Sequence, residues 1–153
     1  MAKRKMIEQI KWNYKDKGPN YQVNMHIDLD RFEKQYNIAQ YALDSDVMAS
    51  MVPYMPHETG TFINVTKAMS AALAGTGKVV AAAPPMGRFL YEGKVMVDEV
   101  TGSPWARPGA KKIVTDRDLT YSNPKATPHW FDTAKEKHGK SWVKLVKKEA
   151  GGG

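Results

Sequence analysis

The chain has 153 residues, of which 42% are apolar and 10% aromatic, enough for one folded domain with a real core. It has no cysteine, which excludes disulfides and thiolate chemistry, and no apolar run long enough to span a bilayer. Its net charge of +7 permits contact with nucleic acid or an acidic protein surface, but the charge gathers in Lys3 to Lys5 and Lys135 to Lys148, runs that are usually solvated faces or tails.

Residues 1–20 read as a basic amino-terminal arm or short helix. Met6, Ile7, Ile10 and Tyr14 recur at helical spacing, and Lys17-Gly18-Pro19-Asn20 ends the segment. Its charged start lacks the apolar region of a signal peptide, which points to synthesis in the cytoplasm. Residues 21–29 alternate, with Tyr21, Val23, Met25, Ile27 and Leu29 on one side, as in a half-buried strand. Asp30 and Glu33 have the spacing of a capping box. They open a long helix whose stripe of Phe32, Tyr36, Ala39, Leu43, Val47 and Met51 suits a core against a sheet.

An elbow follows, from Met51 to Phe62. Pro53 and Pro56 lack backbone donors and push the residues before them out of the helical region, so the helix must stop near Val52. Gly60 supplies a positive φ where the chain reverses. Tyr54 is placed to pack under this elbow between helix and sheet. Phe62, Ile63, Val65 and Thr66 give Thr61 to Lys67 strand chemistry. Gly75-Thr76-Gly77 reads as a turn and Lys78 to Ala83 as a returning strand, stopped by Pro84-Pro85. The pair makes a β-hairpin, with helix left open for the alanine-rich stretch Ala68 to Ala74.

Arg88 to Gly93 reads as a short turn of helix ended by glycine. Val95, Val97 and Val100 suggest a strand, and Ile113-Val114 with Leu119-Thr120-Tyr121 a returning one. Between them Thr101 to Ala110 is rich in turn formers yet holds Trp105 and Arg107, the residue types that dominate interfaces. The 94–121 segment is therefore expected to project as a two-stranded arm and meet another subunit. The rival is an arm folded flat with Trp105 in the core. Asn123-Pro124 and Thr127-Pro128 break the chain. A last helix starts near Pro128, with Trp130, Phe131 and Ala134 facing in, Gly139 bending or interrupting it, and Trp142, Leu145 and Val146 continuing the stripe. Residues 21–150 thus form one α+β domain, and 151–153 a flexible tail.

Catalytic constellations are sparse. Gly75-Thr76-Gly77-Lys78 resembles the end of a phosphate-binding loop, but the earlier glycine position is Ala72 and the magnesium-holding hydroxyl position is Val79. His26, His57, His129 and His138 show no paired metal spacing. His57-Glu58 has no nucleophile or third group nearby in sequence. A strand end and a helix cap account for Asp28 and Asp30. No catalytic residue, metal or cofactor is assigned, and the chain is not expected to be an enzyme.

The order of three motifs resembles the minor capsid proteins of tailed phages, small proteins encoded between the major capsid and tail genes. The motifs are Pro53-Tyr54-Met55-Pro56 with Glu58-Thr59-Gly60, then Arg88-Phe89-Leu90-Tyr91-Glu92-Gly93, then Trp130-Phe131-Asp132-Thr133-Ala134-Lys135 closed by Trp142. Each is weak alone; their order and spacing across residues 25 to 147 carry the match. The resemblance implies an α+β fold with a long helix on a small, mainly antiparallel sheet. It implies a structural virion protein at the head–tail junction, a neck, connector or tail-completion subunit. Such subunits form homo-oligomeric rings, often of six, around the DNA channel, against neighbouring neck and tail proteins. Non-specific contact with channel DNA suits the charge. The interface candidates are Trp105, Arg107, Lys3, Arg4 and Lys5. The alternative is a small basic nucleic-acid-binding protein, for which no helix-turn-helix, zinc-finger or RNA-recognition signature is present.

Overall fold

The computed structural model describes residues 11–15, 22–26, 29–57 and 60–151. The fold is α+β, as expected. Strands β1 (Lys11–Lys15) and β2 (Gln22–His26) form an antiparallel pair with Lys11 opposite His26. Helix α1 (Asp30–Met51) and a single 3-10 turn (Val52–Tyr54) lead to α2 (Thr61–Leu73) and the short α3 (Gly87–Glu92). Strands β3 (Lys94–Asp98) and β4 (Lys112–Asp118) form a second antiparallel pair, and α4 (Trp130–Glu149) closes the chain. No helix among the described residues is long and apolar enough to cross a membrane.

The helical reading of residues 1–20 fails where it can be checked, because Lys11–Lys15 is a strand. An isolated short helix is marginal, whereas the alternating β2 segment offers this one a ladder partner. The rest of that arm, with Lys3, Arg4 and Lys5, lies outside the described residues.

Helix α1 packs chiefly on α4. The two run antiparallel: Tyr54 beyond the end of α1 meets His138, Ser50 meets Trp142, and the Gln35 carboxamide lies beside Gly151. Ala39, Val47 and Met51 of the expected stripe are buried, and Leu43 packs against the core. Phe32 and Tyr36 are exposed. They fall off the line of Gln35, Ala39, Leu43 and Val47, spaced by four, that follows α4. Asp30 is the first helical residue and Leu29 takes the cap position. The core joins Val47, Met48 and Met51 to Met55, Ile63, Trp130, Ala134 and Trp142. Helix α4 runs unbroken through Gly139, so the expected interruption is absent. One glycine costs a helix only about 1 kcal/mol, and Trp142 and Ala134 anchor the helix on either side.

The elbow stops α1 at the expected place. Gly60 has φ +73°, a conformation that favours glycine. The element after it is a helix, not a strand, and the expected 61–83 hairpin is not formed. Ile63, Thr66 and Ser70 are buried at helical spacing. The two hydroxyls explain why no strand is needed. Ser70 Oγ donates to the Val80 carbonyl and accepts from the Val80 N–H, both at 3.0 Å. Thr66 Oγ1 donates to the Phe62 carbonyl at 2.8 Å and accepts from the Ala83 N–H at 3.2 Å. Trp130 Nε1 donates to the Ala81 carbonyl at 2.9 Å. Both backbone groups of Val80, the Ala81 carbonyl and the Ala83 N–H thus find side-chain partners, as buried polar groups require.

Candidate functional site

The expected two-stranded hairpin is formed, although Val100 and Leu119 to Tyr121 fall outside its strands, and its connecting loop carries Trp105. At the end of β3 the Asp98 side chain is fully buried. Its carboxylate accepts hydrogen bonds from the N–H groups of Val100 at 2.8 Å, Thr101 at 3.1 Å and Arg107 at 3.3 Å. The Arg107 guanidinium adds Nε at 3.2 Å and Nη2 at 3.4 Å. The guanidinium first, and then the backbone donors, hold the Asp98 carboxyl far below the usual carboxylate range. Backbone bonds from Asp98 N to Ser103 O and from Gly102 N to Asp98 O tie down the near side of the loop. Lys112 Nζ reaches the Pro104 carbonyl at 3.0 Å on the far side. On this frame Trp105 is 86% exposed. An arm folded flat with Trp105 in the core is therefore ruled out. Arg107 braces the loop from within.

The resemblance motifs come together inside the molecule. Trp130 is wholly buried, with Tyr91 edge-on at 4.8 Å between ring centres and Phe62 at 5.9 Å. The Tyr91 carbonyl accepts from His129 N–H and the Tyr54 carbonyl from Thr127 N–H. Tyr54 is half-buried, with its hydroxyl 3.3 Å from His138 Nε2 and Lys137 Nζ 4.7 Å from its ring centre. Burial first, and then Asp132 and Glu92, push the Tyr91 hydroxyl pKa up. Gly93 has φ +68° and sits so close to Pro128 that an added Cβ would lie 2.8 Å from the proline's own. Trp142 stacks on Phe131 and donates to Ser50 Oγ. Pro53 is exposed and its carbonyl accepts from Asn123, Pro56 is buried, and Arg88 is exposed. Thr59 and Glu58 lie outside the described residues. Of the other motif residues, Met55, Trp130, Ala134 and Trp142 belong to the buried core, with Tyr54, Leu90, Tyr91 and Phe131 packed against it.

The phosphate-loop fragment is also used internally. The Gly75 and Gly77 N–H groups, which would cradle an anion, both donate to Asp44 Oδ2, at 2.8 and 3.0 Å. His57 is exposed. His129 lies 3.5 Å from Glu92 and 4.0 Å from Asp132, all three exposed. Among the described residues no cluster of three or more His, Asp or Glu is placed to hold a metal.

One feature carries no signal in the sequence. An open apolar cavity of about 450 Å³ lies at the base of the β3–β4 hairpin. Phe62 and Val65 of α2, the Pro84-Pro85-Met86 turn and Tyr121 line it. Val65 is 42% and Met86 60% exposed. These residues come from three separated segments, so no local pattern announces the cavity. Comparison of the chain with protein-family models, curated proteins and solved structures finds no match.

Proposed function

We propose that this chain is a structural assembly subunit. Its motif resemblance supports the finer reading, a ring-forming head–tail connector subunit of a tailed phage, lodged in the virion between the DNA-filled capsid and the tail. The observation that carries the assembly reading is the 86% exposed Trp105 on a loop braced through Asp98 and Arg107. A large indole held out in water by a preorganised frame is an interface anchor, because the ordering cost of binding has already been met. Tyr91 of the second motif packs edge-on against Trp130 of the third, so these two residues act in packing rather than in chemistry. Electron microscopy of the purified protein with tail tubes tests the reading: rings or tube-end caps are expected. Trp105→Ala should stay folded and lose ring formation or head–tail joining.

A second reading, non-specific binding to nucleic acid, is favoured by the exposed lysines of α4, Lys135, Lys140, Lys144, Lys147 and Lys148. It predicts DNA binding by the monomer that weakens steeply with salt.

A further inference from the structure

We infer that Trp105 of one copy seats in the apolar cavity of a second copy of this chain. The inference rests on the assembly reading and names its contact. The knob is the braced loop between β3 and β4 with its exposed indole. The socket is the cavity of about 450 Å³ formed by Phe62, Val65, Pro84, Pro85, Met86 and Tyr121. That volume is within the roughly 300–1,000 Å³ of pockets that enclose small organic groups. The rim also offers the hydroxyls of Thr120 and Ser122. A buried indole N–H needs such a partner.

The fold prevents a copy from filling its own socket. Tyr121 and Ser122 follow β4, where Leu119 N bonds to Gly93 O at the base of the hairpin. Trp105 lies beyond the other end of β3. Five strand residues separate the two ends, roughly 17 Å at about 3.4 Å per residue. The ladder between β3 and β4 and the Asp98 brace keep that distance fixed. Knob and socket are different surfaces of one chain, so their union is head-to-tail. Such a contact repeats until it closes a ring or extends as a filament.

Sedimentation of the full chain tests this directly. The wild type should associate with rising concentration. Trp105→Ala should weaken association at least about thirtyfold, as loss of a central aromatic anchor does. Val65→Glu should do the same from the socket side. Met86→Glu, at a still more exposed position, is the second socket variant if Val65→Glu disturbs α2. The decisive sample mixes Trp105→Ala with a socket variant. One intact knob then meets one intact socket, and the mixture should form pairs that grow no further.

Wild-type association by folded Val65→Glu and Met86→Glu would overturn the inference. A Trp105→Ala defect in that case would leave the assembly reading standing with a different docking surface. A wild type that stays monomeric, with no pairing in the mixture, would overturn self-docking. Head–tail joining by Trp105→Ala would then decide the assembly reading separately.

Discussion

The core around Trp130 and the tip of the β3–β4 hairpin both carry a tryptophan and hold it in opposite ways. Trp130 is enclosed by Tyr91 and Phe62, with its N–H on the Ala81 carbonyl. Trp105 is presented to water, and the bonds near it fix its backbone: Trp105 N to Ser103 Oγ, and Lys112 to the Pro104 carbonyl. In the first region the ring is the structural element and the backbone is arranged around it. In the second the backbone is the structural element and the ring is its cargo. Composition treats the two residues alike. The environment of the indole N–H separates them, since a buried one needs an acceptor.

The contrast breaks most visibly under truncation. Trp130→Ala should cost about 3–5 kcal/mol in a denaturant melt, since it empties the centre of the core. It also removes the donor held by the Ala81 carbonyl. Gly93→Ala should come next at about 2–4 kcal/mol, because a left-handed φ and a collision with Pro128 act together. Gly60→Val should cost about 1–2 kcal/mol, because φ is +73° there but the nearest atom to an added Cβ is 3.7 Å away. An unchanged melting temperature in Gly60→Val would refute the conformational argument for the elbow.

The hairpin should respond locally. Asp98→Asn should speed amide exchange at Val100 and Thr101 while leaving the midpoint of the helical core in place. The acid limb sharpens this. The folded-state pKa of Asp98 lies below its ordinary value of 3.8. The brace is therefore at full strength above that value and weakens as pH falls from there toward the lower folded value. Protection of these two amides should show that acid limb in the wild type and lose it in Asp98→Asn. The smallest effect on the subunit is expected for Trp105→Ala, within about 0.5 kcal/mol of wild type. A loss of several kcal/mol would mean that Trp105 holds the subunit together and would sink its role as an anchor.

Much of this contrast is legible in the residues. Asn, Pro and Gly punctuate the chain where the elements end, and the stripe of α4 from Trp130 to Trp142 reads directly. The 94–121 hairpin is visible because its valines and isoleucine flank a loop of glycine and proline. Local chemistry misleads at α2, where Phe62, Ile63, Val65 and Thr66 favour strand. There the tertiary partners decide, through two hydroxyls that reach a segment ten or more residues ahead. The pairing of Asp98 with Arg107 escapes a reading of the sequence because Asp98 sits at the close of a strand, without a pattern of its own. The socket is illegible because three distant segments build it.

The hydroxyls of Thr66 and Ser70 also constrain how this sequence can drift. Each both donates and accepts, so each stands in for part of a neighbouring strand. Valine at position 66 would match the shape of threonine and leave the Ala83 N–H without its acceptor. Alanine at position 70 would orphan both backbone groups of Val80. Diverged chains that keep this fold are therefore expected to interchange serine and threonine at these two positions. The exposed Ala71 and Ala72 beside them are free to vary. A deep mutational scan scored for folded protein should show that two-position signature on α2.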